Sequence, residues 1–298
     1  MLHSLPRFIE MFKRKSLPFV VVNGVIWYEY SRMFEPLGPV AATYSLPADA
    51  AKNIFDSFPG SVLIRYSNTV APSIHKSEWY AVVADKFVDL TEMNAKLRNQ
   101  VKRGLGNCVV RRITAQILSD IGYDVYLHAY YNTPPKHILT RDEFRSKMLR
   151  DADFHDLIHY WGVFKGDVLI GYSINWIYDS IEANYSVAKF HNAYLDLYPS
   201  YALFYTMNQY YLVQSKMQYV NDGFRNLYHK TNIQDFLQKK MGFTKLPAKL
   251  MIHYRPYIAL AMRSLYPLRS ILGKLDSRVK ALFMLESMRR SSENATIL

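Results

Sequence analysis

The sequence contains almost no cysteine. Cys108 is the single thiol among 298 residues, so the chain cannot form an internal disulfide framework. A zinc site built from several cysteines is excluded for the same reason. This cysteine usage fits a reducing compartment, and we expect a cytoplasmic protein. Cys108 lies beside Val109 and Val110, and we interpret it as a small buried apolar residue.

Long apolar runs and common catalytic motifs are also missing. No run of about 18 apolar residues occurs, so we expect no membrane-spanning helix. Arg7, Glu10 and the basic cluster at 13–15 interrupt the first apolar positions, which argues against a signal peptide. The phosphate-loop, nucleophile-elbow and zinc-protease motifs are absent. His155 and His159 lie four residues apart without a third ligand type beside them, so we expect no metal site.

Positive charge is the most pronounced excess. The 37 Lys and Arg residues against 25 Asp and Glu give a net charge of +12, which indicates an anionic partner. Nucleic acid, a phosphorylated cofactor and an acidic membrane all fit, and charge alone does not choose among them. Because the basic residues are divided between a segment near residue 100 and the tail, they do not form one nucleic-acid-binding face.

The tail, residues 255–290, combines charge with an apolar helical stripe. It holds eight Lys and Arg residues against Asp276 and Glu286, which gives 8 − 2 = +6. Its apolar residues recur at helical spacing, although Pro267 must bend or split the helix. Two interpretations stay open: the tail contacts the inner face of an anionic membrane, or it packs against the protein's own core.

The first part of the chain alternates between β-prone and helical segments. Strands are predicted at 19–30, 40–44, 61–66, 78–84 and 108–113, with helices at 47–58 and 92–105. Pro47 suits the first turn of the first helix, and Gly104 and Gly106 are expected to end the second. The pattern predicts an α/β domain.

The second part begins with helices and continues as a meander. Helices are predicted at 114–131 and 141–150, and Thr140 with Glu143 forms a capping-box pattern. Further segments follow in the order strand, strand, strand, helix, strand, helix, strand: 159–164, 168–177, 181–189, 200–214, 217–220, a helix beginning at Thr231 or Asn232, and 249–254. Asn221-Asp222-Gly223 predicts a turn, and Gly242 is expected to close the last helix with Phe243 packed back onto it.

This closing part resembles a known family. The residues that carry the resemblance are Thr231-Asn232, Phe236-Leu237, Lys239 to Phe243, and the hairpin from Trp161 to Tyr172. They are similar to the second half of the GNAT superfamily of N-acetyltransferases. The complete order of elements resembles the Fem-type aminoacyltransferases and their relatives in exopolysaccharide and cell-envelope loci, which duplicate that fold.

The resemblance implies a fold class and a division of the chain. We expect α/β (α+β) tandem GNAT-like domains with mixed, mostly antiparallel sheets, followed by a helical tail. The first, degenerate domain would cover 1–113 and the acyltransferase domain 114–256. The basic amphipathic tail would cover 257–298.

The resemblance also implies where an acyl-CoA would bind. In the family, the amino end of the long helix after the fourth core strand holds the diphosphate, which places Ser200, Tyr201 and Ala202 at the cofactor. Asn232, at the start of the closing helix, joins them. The family's glycine-rich loop is not present at this position. A backbone amide on the strand 182–189 would stabilise the oxyanion.

Several side chains are candidates for proton transfer and substrate binding. In the family, a tyrosine often follows the helix-capping Asn by seven residues, but that position holds Gln238 here. His229, Glu182 and Tyr228 are therefore the catalytic candidates. Asp222 and Arg225 are the substrate-binding candidates. Simpler interpretations stay open, because His229 can brace a loop, Arg225 can be a solvated charge, and Asp222 can belong only to a turn.

We therefore expect an acyltransferase. It would move an acetyl or aminoacyl group from acetyl-CoA, another acyl-CoA or an equivalent activated donor to an amine, in cell-envelope or polysaccharide metabolism. An aminoacyl-tRNA donor is the one nucleic acid expected as a partner. The alternative is a catalytically inactive GNAT-fold subunit that binds or scaffolds. The missing glycines and tyrosine favour that alternative, whereas the polar cluster of Asp222, Arg225, His229 and Asn232 favours an enzyme.

Overall fold

A computed structural model describes residues 2–74, 77–130, 137–225, 232–274 and 276–293. These residues form two compact units, and neither unit is one continuous stretch of chain. Unit 1 takes 1–82, 223–232 and 245–298; unit 2 takes 83–222 and 233–244. The boundary expected near residue 114 therefore falls inside unit 2, and the tail lies within unit 1.

Eleven helices and eleven strands alternate along the described residues. The helices are α1 (Leu5–Arg14), α2 (Ala48–Ser57), α3 (Ala95–Asn107), α4 (Ala115–Ile121), α5 (Tyr123–Ala129), α6 (Arg141–Leu149), α7 (Pro199–Asn208), α8 (Ile233–Lys240), α9 (Pro256–Leu265), α10 (Arg269–Leu272) and α11 (Ser277–Glu293). The strands are β1 (Phe19–Val22), β2 (Val25–Tyr30), β3 (Met33–Pro36), β4 (Leu63–Val70), β5 (Tyr80–Ala84), β6 (Val109–Ile113), β7 (Ile158–Lys165), β8 (Val168–Tyr178), β9 (Glu182–Phe190), β10 (Tyr219–Phe224) and β11 (Thr244–Tyr254). The strand pairings are mixed and mostly antiparallel, as expected.

Unit 1 is built on the strand order β1-β2-β3-β4-β11. Asn23 and Gly24, both with positive φ, make the tight turn between β1 and β2, a conformation that Asn-Gly pairs adopt readily. β11 lies antiparallel to β4, with Ala248 opposite Val70 and Tyr254 opposite Leu63. A strand near the end of the chain thus completes a sheet that begins near residue 19.

Two apolar clusters stabilise unit 1. One joins α2 to the sheet through Ile54, Trp27 and Ile64. The other places Leu285 and Met288 of α11 against the sheet residues Met33, Leu63 and Leu250. Both α11 side chains are fully or almost fully buried. For this helix, packing against the protein's own core is what the structure shows.

Unit 2 has the strand order β10-β9-β8-β7-β6. The strands from β6 to β9 form an antiparallel meander, whereas β9 and β10 are parallel. The capping box before α6 is present, with Thr140 and Glu143 bonded reciprocally. At the end of α8, Gly242 has φ +77 and the Phe243 N–H donates to the Leu237 carbonyl at 3.3 Å, which confirms the predicted ending.

Some sequence-based predictions of elements are wrong. Residues 40–44 form no strand, because the Ala42 N–H donates to the Pro39 carbonyl in a turn. The strand that precedes α2 is β3, at Met33–Pro36. The helix predicted at 114–131 divides at Gly122 into α4 and α5. Asn221, Asp222 and Gly223 belong to β10 rather than to a turn. None of the described helices is both long and apolar enough to span a bilayer.

Candidate active site

The parallel strands β9 and β10 separate soon after they begin to pair. Glu182, Ala183 and Asn184 of β9 lie opposite Tyr219, Val220 and Asn221 of β10. β9 then continues for six residues to Phe190 while the register with β10 ends. Backbone groups beyond this point of divergence are not committed to a ladder between these two strands.

A polar pair sits at the point of divergence. The Asn184 side-chain amide donates to the Asn221 side-chain oxygen at 2.6 Å. Asn221 is fully buried, as is Glu182 at the start of β9. Buried polar side chains cost free energy unless they are hydrogen-bonded. The bond between Asn184 and Asn221 therefore stabilises the last pair of residues before the two strands separate.

Asp222 is the next residue of β10 after Asn221, and it is half-buried. Burial raises the pKa of its carboxyl group to about 7, and a hydrogen bond from the Gln234 side chain offsets part of that shift. The Gln234 amide also donates to the Asp222 backbone carbonyl at 3.2 Å, which ties β10 to α8. A carboxyl group whose pKa lies near neutral pH can accept a proton and return it.

Aromatic side chains cover one face of the sheet in unit 2. Tyr185 on β9 contacts Phe204 of α7, Tyr211 and Phe243, with ring centroids 5.7 to 6.1 Å apart. The Tyr185 hydroxyl donates to the Asn208 side chain at 2.8 Å. Aromatic rings are therefore closely packed on this face of the sheet, and the Tyr185 hydroxyl is hydrogen-bonded to α7.

Tyr211 lies at the centre of a buried hydrogen-bond network. It belongs to the π-helical turn Gln209–Gln214 that continues α7. Its hydroxyl oxygen accepts from the Trp161 indole at 2.9 Å and from the Asn175 amide at 3.2 Å, and it lies 3.2 Å from His159 Nδ1. Burial and nearby Arg112 and His155 lower the pKa of His159 to about 3. His159 is therefore neutral, and its Nδ1 can accept a hydrogen bond from the Tyr211 hydroxyl.

The amino end of α7 differs from the diphosphate cradle that the resemblance implies. Tyr198 caps the helix in the left-handed conformation, and Pro199 has no N–H. The N–H groups of Tyr201 and Ala202 both donate to the Tyr198 carbonyl, at 3.1 and 3.3 Å. Few amides are thus left to bind an anion at this helix end.

Helix α3 closes the same helix end from outside. Gly104 of α3 packs so closely that a Cβ atom there would lie 2.7 Å from the Tyr198 carbonyl and 3.1 Å from the Ala202 nitrogen. Phe236 of α8 contacts Tyr201 at 5.0 Å between ring centroids and Phe204 at 5.9 Å. The residues present do not fit the diphosphate of an acyl-CoA in the way the family binds it.

Four further sequence-predicted residues remain, and only Arg225 and Asn232 lie in the described part of the chain. His229 and Tyr228 lie outside the described residues. The Arg225 N–H donates to the Tyr80 carbonyl at 2.9 Å, and its guanidinium lies 3.5 Å from Glu78. Asn232 is exposed and immediately precedes α8. The roles assigned to these residues stay predictions.

Sequence analysis missed a cluster of Asp124, His128 and His191. His191 Nε2 and His128 Nδ1 each lie 3.4 Å from an Asp124 carboxylate oxygen. The Ala193 N–H donates to His191 Nδ1, so the tautomer of His191 carries its proton on Nε2. Burial and the neighbouring His128 lower the pKa of His191. The available signal was the spacing of Asp124 and His128, four residues apart in a predicted helix. His191 is too distant in sequence for that spacing to have indicated it.

The ring geometry of this cluster does not suit a metal ion. The two imidazoles are stacked, with centroids 3.8 Å apart and planes inclined by 19°. The lone pairs of nearly parallel stacked rings point side by side, whereas metal ligation at about 2.0–2.1 Å needs them to converge. The three ligand atoms lie within 4.8 Å of one another, but the stacking of the rings sets the cluster apart from a usual metal site.

The splayed parallel pair, the helix that follows β9 and the glycine-ended α8 together define a GNAT-type fold. The resemblance inferred from the sequence is thus confirmed at the level of fold. No family model and no curated protein matches the sequence. Several solved structures are similar to the chain. One of them, FemX, is 11% identical with a TM-score of 0.52, and the match covers 88% of this chain and 92% of FemX.

A second similar structure is the C-terminal domain of a protein described as a lysylphosphatidylglycerol synthetase, from Agrobacterium fabrum. It is 12% identical with a TM-score of 0.52, and the match covers 88% of this chain and 91% of that domain. At such identities the likeness shows the fold alone.

Proposed function

We propose that this chain is an acyltransferase that moves an aminoacyl group from an activated ester to an amine. The observation that carries the proposal is Asp222. Its half-buried carboxyl group, with a pKa raised to about 7, lies where β9 and β10 diverge. A group with this pKa accepts a proton efficiently near neutral pH.

The proposed reaction uses Asp222 twice. The acceptor amine attacks the carbonyl carbon of the donor ester, and the amine proton passes to the Asp222 carboxylate. The bond between the carbonyl carbon and the ester oxygen then breaks, and the leaving oxygen takes the proton from Asp222. An amide is formed, an alcohol is released, and the carboxylate is regenerated. Backbone N–H groups on β9 beyond Asn184 are the candidate donors to the oxyanion.

The donor proposed here is an aminoacyl-tRNA rather than an acyl-CoA. The amino end of α7, where the family holds the CoA diphosphate, has few unbonded amides and is closed by α3. The net charge of +12 suits a polyanionic donor. One of the two similar structures is named for an aminoacylated lipid product, which is compatible with such chemistry. The proposed acceptor is an amine in cell-envelope or polysaccharide metabolism.

A donor and acceptor panel tests the function. Purified protein is incubated with acetyl-CoA, other acyl-CoAs or charged tRNAs and with small amines, and transfer is followed by mass spectrometry. We expect transfer from a charged tRNA, with a rate that rises with pH up to about 7 because Asp222 must be deprotonated. Transfer from acetyl-CoA alone would overturn the proposed donor.

Asp222→Asn tests the mechanism, and Asp235→Asn is its matched control. Both substitutions remove one carboxylate; Asp235 is exposed on α8 and pairs only loosely with Lys239, at 3.5 Å. We expect Asp222→Asn to lower the rate about 10²-fold or more and Asp235→Asn to leave it unchanged. If no donor supports transfer although thermal shift detects binding, the inactive binding subunit becomes the better account.

A further inference from the structure

The helical tail divides into a packed part and an exposed part. α11 buries Leu285 and Met288 in the core of unit 1. The segment from α9 to α10 behaves differently, because it exposes five large apolar side chains within fifteen residues: Tyr257, Leu260, Leu265, Leu268 and Ile271. Leu260 and Ile271 are 67% and 63% exposed. We call these five residues the apolar face.

The apolar face is spread over three short helical segments: α9, the 3-10 turn Tyr266–Leu268 and α10. Tyr257 and Leu260 lie three residues apart on α9, as Leu268 and Ile271 do across the turn and α10, and all four are exposed. Met262 and Tyr266 are buried instead and pack with Phe283. α9 is therefore anchored to unit 1 by one side while the other stays in solvent. Clustered exposed apolar side chains of this kind mark an interaction surface.

Charge within the segment that carries the apolar face is of one sign. Between residues 255 and 274 the sequence has four basic residues and no Asp or Glu. Arg263, Arg269 and Lys274 are exposed. Arg255 is occupied elsewhere, since its guanidinium donates to the Ser61 and Phe58 carbonyls at 2.6 and 2.7 Å. Three exposed cations thus accompany five exposed apolar side chains.

We propose that the apolar face of α9 and α10 docks on a membrane surface that contains anionic phospholipids. Apolar side chains would enter the boundary between headgroups and acyl chains, and Arg263, Arg269 and Lys274 would contact lipid phosphates. A second copy of this chain fits less well, because pairing two such faces would bring like charges together. This proposal stands independently of the proposed transfer reaction.

Vesicle co-sedimentation tests the proposal with the full chain. The probes are phosphatidylcholine vesicles and vesicles that also contain phosphatidylglycerol. A truncation before α9 is unsuitable, since it would also remove Leu285 and Met288 from the core. The apolar variant is Leu260→Ser with Ile271→Ser, and the charge variant is Arg263→Gln with Lys274→Gln. Val168→Ser with Val213→Ser is the control, because both residues are exposed in unit 2.

We expect the wild type and the control to bind phosphatidylglycerol vesicles, and binding to weaken as salt rises. The charge variant should bind about thirtyfold more weakly, following the usual contribution of each cation near an anionic surface. The apolar variant should bind at least tenfold more weakly, also at low salt.

Three outcomes would overturn the proposal: equal binding to both vesicle types, an equal loss in the control, or unchanged binding in the apolar variant. If the wild type is a dimer in sedimentation velocity and the apolar variant a monomer, the apolar face is an interface between copies instead.

Discussion

The two halves of the candidate site have diverged differently from the pattern that the family resemblance implies. At the separation of β9 and β10, the Asn184–Asn221 pair and Asp222 keep polar groups in place. At the amino end of α7, Pro199, the bonded amides and Gly104 of α3 remove the features that bind a diphosphate. In the proposed reaction, chemistry at the acyl carbon and recognition of the donor's carrier would therefore use separate parts of this fold.

The largest effect in this comparison concerns stability and pH at Asp222. Its folded-state pKa of about 7 lies above the unfolded value near 3.8. The folded state therefore holds the proton more tightly, so its stability contribution is present below about pH 4 and is lost as pH rises to about 7. Each pKa unit corresponds to about 1.4 kcal/mol.

Asp222→Asn should remove this dependence. We expect the variant to be more stable than the wild type by roughly 2–4 kcal/mol at pH 8 and nearly equal to it at pH 4. Urea unfolding at both pH values measures the difference. If the stability difference is the same at pH 4 and pH 8, the carboxyl group is not perturbed and loses its role as the proton acceptor.

A second prediction concerns the polar pair at the divergence. Asn221→Ala removes the acceptor of the 2.6 Å bond from Asn184, and we expect a loss of about 1–3 kcal/mol. Combining it with Asn184→Ala should cost less than the sum of the single losses, by at least about 0.5 kcal/mol. Additive losses in this double-mutant cycle would show that the two side chains act separately.

The smallest expected effects come from substituting two glycines of α3, Gly104 and Gly106, and they test how closely α3 packs on the amino end of α7. Gly104→Ala forces a Cβ atom to within 2.7 Å of a backbone oxygen, and we expect a loss of about 1–2 kcal/mol. Gly106 has open space around it, so Gly106→Ala should stabilise α3 by roughly 0.5 kcal/mol. Melting temperatures of the two variants should move in opposite directions; a shared direction would contradict the close packing of α3 on α7.

Elements with strong local signals were predictable from the sequence. The capping box of Thr140 and Glu143 marks the start of α6, and Gly242 marks the end of α8. The β7, β8 and β9 meander follows from alternating β-prone residues. Helix α1 was missed because its charges were considered only as interruptions of a signal peptide, although Phe8, Met11 and Phe12 are all buried.

Features that depend on distant contacts could not be predicted. Gly104 looked like a helix end, but it lies inside α3 because α7 approaches there and only a glycine fits. Asp222 looked like a turn residue, yet β10 continues through it to Phe224, beyond its last pair with β9. Its raised pKa depends on burial by elements that follow in the fold, which no local pattern encodes.

Unit 1 combines segments that are far apart in the sequence, which affects the order in which the protein can fold. Its sheet needs β11, which pairs with β4 across about 180 residues of intervening chain, and its core needs Leu285 and Met288. A ribosome completes β11 and α11 only after every segment of unit 2, which ends at residue 244, has been translated. Unit 2 can thus fold on the nascent chain while the strands near the amino terminus wait for their partner. During that interval the edge of β4 that later pairs with β11 is unpaired and open to non-native strand pairing.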